Sequence, residues 1–254
     1  MSRQALIVSI MLVIGACSYS DKTLATSELA ILELMCLTPP AANNIDYMLW
    51  GKYEVSNSEY YSDAEIKDAD IPVVQISFYE AQAWCDARGL RLPSQDEWIH
   101  LLSSNEVGPA TVGARNDLDL GINRPLPGGV FERGRVGWGV YDLYSNVREW
   151  ASESSSPPSE AIAVGASFAS RSNLFKSLAM NKQDSASDVG FRYAVNAVAF
   201  LEKIVARQWP TLNSTQRKQA TMAIAGWKAD WRIALANRLD EALIPRSLMQ
   251  ALRQ

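Results

Sequence analysis

Three cysteines, one histidine and a run of serines hold most of the reactive side chains in this 254-residue chain. His100 stands alone, so the sequence builds neither a histidine-pair zinc site nor a Ser-His-Asp triad. Ser167, Ser170 and Ser172 flank Arg171, with Asp184 and Asp188 downstream. Serine is a weak nucleophile without an adjacent base, and the segment reads as a polar loop. Cys36 and Cys85 leave two readings open: a disulfide in an oxidising compartment, or two buried free thiols.

Cys17 has a different setting. Arg3 gives a short positive region, and Ala5–Ile14 is apolar apart from Ser9. That run is too short to cross a hydrocarbon core of about 30 Å as a helix, so residues 1–16 read as a signal peptide. Ile14-Gly15-Ala16-Cys17 resembles a bacterial lipobox, which implies a diacylglycerol on the Cys17 thiol. Several acyl chains on one residue hold a protein stably on a bilayer. Ser18 stands where an inner-membrane retention signal places Asp. The expected location is therefore the periplasmic side of the cell envelope, at the outer membrane. A net charge of −4 with no basic stripe argues against nucleic acid as a partner.

The elements that would position these groups fall into zones. Residues 17–44 read as a lipidated tether with a short helix at Leu29–Leu37, closed by Pro39-Pro40 and Asn43-Asn44. Residues 45–195 carry short elements between Gly, Pro, Ser and Asn, the pattern of an irregular α+β domain. Within it Ser77 and Glu80 form a capping box for a helix whose buried face is Ala81, Trp84 and Cys85, with Gly89 to end it. Ser94 and Glu97 repeat the device ahead of Trp98, Leu101 and Leu102. A Gly- and Pro-rich loop occupies 104–140, and a loop that long is usually functional or held down by a ligand.

Residues 196–254 read as a helical extension. Ile224, Trp227, Trp231, Leu235, Leu239 and Leu243 recur at steps of three or four, which predicts one long amphipathic helix over Ser214–Leu243, bent at Gly226. Its stripe either packs on the domain or presents Trp227 and Trp231 as anchors for a partner.

Four segments, in order, resemble the formylglycine-generating enzyme (sulfatase-modifying factor) family. They are Tyr53–Tyr60 (YEVSNSEY, like EVTNxxY), Pro72–Trp98 (PVVQISFYEAQAWCDARGLRLPSQDEW) and Gly139–Trp150 (GVYDLYSNVREW, like GLYDMxGNVWEW). The fourth pairs Gly165–Phe168 with Ser185–Arg192, like GGSW followed by SxxxGFR. The resemblance implies an α+β fold related to C-type lectins. Glu54, Arg91, Glu97, Glu149 and Arg192 are candidates for buried charge pairs fixing such a loop-rich fold.

The family's chemistry rests on two cysteines in a C-x4-C arrangement that hold copper(I), a soft ion suited to thiolates. Laid on that motif, the two positions are Ser170 and Phe175, neither a thiolate, so the copper route is not expected. The pocket implied beside them would include Ser167 and Arg171. The family's partner for the cysteine at Cys85 falls at Tyr193. An iron branch of the superfamily needs three histidines, which one histidine excludes. The family's PWGN segment is missing from the long loop, but a second calcium site implied around GNxWE corresponds to Asn146 and Glu149. Oxygen donors suit that ion; Glu149 can equally pair with an arginine in the core.

These readings lead to a non-catalytic, lipid-anchored envelope module that docks to or regulates a protein partner, as in a secretion machine. The alternative is a periplasmic enzyme of the kind that matures siderophores, using a copper-independent pocket near Ser170–Phe175. A third reading is a lipid-tethered scaffold with no exchangeable ligand.

Overall fold

The computed structural model describes residues 31–41, 45–63, 65–103, 121–130, 132–152, 157–170 and 177–254. The signal segment, Cys17, Arg171, Ser172 and Phe175 lie outside them.

Two small sheets carry the α+β domain. The first is antiparallel and orders β1 (Met35–Thr38), β2 (Met48–Gly51) and β7 (Ala194–Asn196) side by side. The second orders β5 (Leu178–Asn181), β4 (Glu160–Val164), β3 (Arg148–Ala151) and β6 (Val189–Gly190), antiparallel except for the β3–β6 pair.

The tether reading fails at its C-terminal part. Ile31–Leu34 is a 3-10 turn and β1 follows it directly, with all four β1 residues buried. The apolar stretch is hydrophobic because it is an edge strand of the core, its register set by pairing Cys36 with Trp50. The structural boundary of the domain thus falls before residue 31, not at 45.

The two helix signals near the domain centre are realised, and a third capped helix joins them. α1 (Asn57–Tyr61), which the sequence reading did not foresee, and the expected α2 (Phe78–Asp86) and α3 (Gln95–Ser103) follow the serine caps Ser56, Ser77 and Ser94. Each serine hydroxyl takes the amide three residues on, and Glu59, Glu80 or Glu97 returns a bond to the cap amide. Such reciprocal caps satisfy amides that a helix start leaves without partners. Gly89 sits at φ +67°, the left-handed turn that ends the α2 region, where a side chain would be strained.

Three wholly buried tryptophans fill the interior with their N–H groups spent. Trp50 Nε1 donates to Thr38 Oγ1 (3.2 Å), Trp150 Nε1 to the Ile76 carbonyl (3.0 Å) and Trp98 Nε1 to Glu149 Oε2 (2.8 Å). Buried indoles need that partner.

The helical extension is not an arm. α4 (Ala197–Phe200) continues through a π-helical turn at Leu201–Val205 into α5 (Ala206–Gln208). The long helix read from the sequence is instead α6 (Ser214–Ala225) and α7 (Ala229–Ala236), followed by α8 (Arg246–Arg253). The break at Gly226–Lys228 has a physical cause. The Arg232 guanidinium, 5% exposed, donates to the carbonyls of Ala225 (2.9 Å) and Leu252 (3.1 Å). It thereby satisfies a carbonyl at the end of α6 and ties α7 to the end of α8. Leu32, Phe191, Phe200, Ile224, Leu235 and Leu248 share one hydrophobic cluster, so domain and extension have a common core.

Candidate functional site

Three places in the fold bring together side chains capable of chemistry or recognition. The first surrounds Ser170, the position where the family motif has its first copper cysteine. Ser167 and Ser170 sit just after β4, and their hydroxyls lie 3.1 Å apart. Ser170 Oγ accepts from the Ser167 amide (2.9 Å) and from Arg148 Nη2 (3.0 Å). Ser167 Oγ donates to Asp188 Oδ2 (2.6 Å), and Arg148 is ion-paired with that same carboxylate. Asp188 and Arg148 are adjacent because β6 runs parallel to β3. The carboxylate that could have served as a base is already neutralised by a guanidinium, so the cluster closes on itself. It is a polar clasp, and it holds no soft ligand atom among the described residues.

Arg148 was not singled out in the sequence, although a signal was present. It stands in Ser145-Asn146-Val147-Arg148-Glu149-Trp150 where the family motif has a tryptophan.

The second place is a fully buried charge cluster. Arg192 donates to both oxygens of Glu149, from Nη2 (2.7 Å) and from Nε (3.2 and 3.1 Å). Its remaining donors go to the carbonyls of Gly51 (2.9 Å) and Tyr141 (2.8 Å). Glu54 lies 3.9 Å from Arg192 and neither of its oxygens has a hydrogen-bond partner. Burial, then the Asp142 charge, push the Glu54 carboxyl well above its ordinary range, against the pull of Arg192. Glu54 is therefore the carboxyl of the group that takes up a proton most readily. Of the charge pairs read from the sequence, Arg91 with Glu97 also forms, through two 2.6 Å bonds at the half-exposed start of α3.

This arrangement does not fit calcium at Asn146 and Glu149. Glu149 is taken by Arg192 and Trp98. The Asn146 amide is taken by the backbone of Leu126, accepting from its N–H (2.9 Å) and donating to its carbonyl (3.2 Å). A cation there would have to displace a buried guanidinium. Among the described residues no group of three or more His, Cys, Asp or Glu side chains is arranged to hold a metal ion.

The disulfide reading is corrected. Cys36 and Cys85 are both buried free thiols, in different hydrophobic clusters. Burial pushes Cys36 up to about 12 and raises Cys85 further. Neither is a thiolate at neutral pH, and such thiols are inert.

The third place is a cavity of about 660 Å³ at the seam between domain and extension. Its floor is Cys36 and Leu37 of β1, its domain wall is Tyr53, Trp138 and Tyr141, and its extension wall is Trp227 and Trp231. The Tyr53 and Tyr141 rings are 5.1 Å apart. Trp231 meets Trp138 edge-on at 6.5 Å, spanning the seam. Tyr53 is held from behind by the 126–129 loop: a Cβ on Gly129 (φ +73°) would fall 2.3 Å from its Cε1. That loop is fixed in turn by Asp142, whose carboxylate takes the Gly129 amide at 2.7 Å. Ser167 and Ser170 do not line this cavity.

The two tryptophans expected to act as anchors thus divide. Trp227 is 6% exposed and donates Nε1 to the Met35 carbonyl (3.3 Å), joining the extension to β1. Trp231 is half-buried and stays on the cavity wall, with the Lys228 ammonium 4.5 Å from its ring centre. The remaining cavity residues, notably Lys52, Arg135 and Trp138, are scattered over distant loops and carried no local pattern to find them by.

No family model matches the chain. An inactive C-alpha-formylglycine-generating enzyme 2 of Mus musculus is 31% identical over 154 residues, covering 50% of this chain and 50% of that protein. The chain thus spans half the length of the curated relative it matches. PvdO from Pseudomonas aeruginosa aligns with a TM-score of 0.51 at 14% identity, over 63% of this chain and 89% of that one. Treponema denticola variable protein 1 aligns with a TM-score of 0.51 at 14% identity, over 64% and 94%. At such identities the structures speak for fold alone. Taken with the four ordered motifs, they make this chain a carrier of a formylglycine-generating-enzyme-like α+β domain.

Proposed function

We propose that the chain is a non-catalytic, lipid-anchored module of the bacterial cell envelope, whose domain docks to or regulates a protein partner. The observation that carries the non-catalytic part is the fate of Ser170. The position expected to offer a copper thiolate is a hydroxyl locked to Ser167 and Arg148, next to an already paired Asp188. The mouse relative named inactive agrees in kind. A copper-independent enzyme would need a free acid or base beside Ser170, and both charged groups of the clasp are committed to each other. The lipid anchor rests on the sequence around Cys17 alone.

The test is fatty-acid labelling of the full chain and a Cys17→Ser variant in a bacterial host, with fractionation and cross-linking in intact envelopes. The proposal expects label and membrane association only with Cys17, and a discrete cross-linked protein. An unlabelled protein released with the periplasmic fraction whatever stands at position 17 would contradict it.

A further inference from the structure

The seam cavity has a chemical character that the docking reading does not use. Three cations face it, Lys52 from the end of β2, Arg135 from the glycine-rich loop and Lys228 from the helix break, and among the described residues no carboxylate lines it. Glu132, at its edge, pairs with Arg135 (2.9 Å) and accepts from the Tyr141 hydroxyl (2.7 Å), so it offsets one of the three charges. The Lys52 ammonium donates one bond to the Glu33 carbonyl (2.7 Å), which fixes the amine without neutralising it. The Lys228 ammonium lies over the Trp231 face. The field of Lys52 and Arg135 reaches the floor, where it acts on the Cys36 thiol against burial.

Facing rings line the space under these charges. Tyr53, Tyr141 and Trp138 line the domain side, and Trp231 meets Trp138 edge-on from the extension side. About 660 Å³ lies within the range of small-molecule sites, roughly 300–1,000 Å³. Aromatic walls favour a flat apolar body, and cations without a lining counter-charge favour an anion.

We infer that this seam cavity binds a small anionic ligand carrying a planar ring, with the ring against Trp231 and the Tyr53–Tyr141 wall and with Lys228 and Arg135 holding its charge. The anion is a carboxylate or a phosphate, which the cations recognise alike. Because the walls come from both the domain and the extension, such a ligand would also bind the two parts together.

The experiment is calorimetric titration of the full chain with 1-naphthoate and with 1-naphthyl phosphate. Uncharged 1-naphthylmethanol and inorganic phosphate serve as comparators. The inference expects one saturable site per chain for at least one of the two ring-bearing anions, and which of them binds tells carboxylate from phosphate. It also expects affinity about fivefold or more above either comparator, a margin of the size expected for a charge-assisted contact. Lys228→Gln and Trp231→Leu, whose side chains are not in the core, should each weaken binding by a similar factor with an unchanged circular dichroism spectrum. Met222→Ser, on an exposed apolar spot of α6, should leave binding as it was. Absence of saturable binding by both anions overturns the inference. So do equal affinity for either comparator and indifference to both cavity substitutions. Failure here leaves the protein-docking proposal standing, since that proposal does not depend on the cavity.

Discussion

Arg192 and Glu149 are wholly buried and joined through both carboxylate oxygens, although 43 residues separate them in the chain. The pair does more than cancel charge. Through Arg192 it reaches the carbonyls of Gly51 at the end of β2 and Tyr141 in the loop before β3, and through Glu149 it holds Trp98 of α3. Both sheets and a helix meet at one guanidinium, which is how a fold with strands of five residues or fewer keeps a defined centre.

Removing one side of that pair leaves the other charge buried without compensation. Arg192→Met should cost about 3–5 kcal/mol, read as a lowered urea midpoint. The double variant Arg192→Met/Glu149→Leu should be less destabilised than the sum of the single variants. A single variant within about 1 kcal/mol of the parent, on the scale of ordinary substitutions, would remove the pair from its central place.

Glu54 supplies a prediction about pH. Its carboxyl is raised in the folded chain, so the folded state holds a proton that the unfolded state releases above the ordinary carboxylate value of 4.5. Stability associated with this group is therefore full below that value and declines as pH rises towards the folded one. Glu54→Gln replaces the neutral acid with a neutral amide. The variant should lose less stability than the parent as pH rises above 4.5, in paired denaturation curves. A steeper decline in the variant would show that Glu54 is ionised in the fold.

Trp227 tests whether the extension is part of the core. Trp227→Ala removes a buried indole and its bond to the Met35 carbonyl, and should cost about 3–5 kcal/mol. A chain ending at Asn196 should fail to unfold cooperatively, because Phe191, Phe200 and Leu235 share one cluster. A truncated chain with a sharp transition like the parent's would make the extension an independent appendage.

The thiols give a simple readout. In the native chain Cys36 and Cys85 should resist alkylation at pH 8 and react only after denaturation, with no prior reduction required. Peptide mass spectrometry distinguishes this from a disulfide, which would need reduction first.

The local part of this fold was readable because its signals are local. The Ser77–Glu80 and Ser94–Glu97 caps, the Gly89 stop and the Ala81/Trp84/Cys85 face each depend on neighbours within a turn or two. The misreadings come from tertiary partners. A helix stripe through Ile224, Trp227 and Trp231 looks continuous in one dimension, but Gly226 and the Arg232 bond to Ala225 divide it in space. Leu29–Leu37 has the hydrophobicity of a helix or a strand, and pairing with β2 makes a strand of its last part, from Met35 on. At the candidate sites, Ser170 was found through its motif, whereas its holder Arg148 needed the parallel β3–β6 pairing to come into view. The seam cavity had no sequence signal, since its walls come from four separated stretches of chain.

The proposed absence of copper chemistry at Ser170 is open to a direct test. Purified full chain should be incubated with copper(I), oxygen and a peptide carrying a sulfatase-type substrate cysteine, and the peptide followed by mass spectrometry. The account predicts that the cysteine is recovered unchanged, by the parent chain and by Ser170→Cys alike, since one thiol does not restore a two-thiolate copper site. Conversion of that cysteine to formylglycine by the parent chain would contradict it.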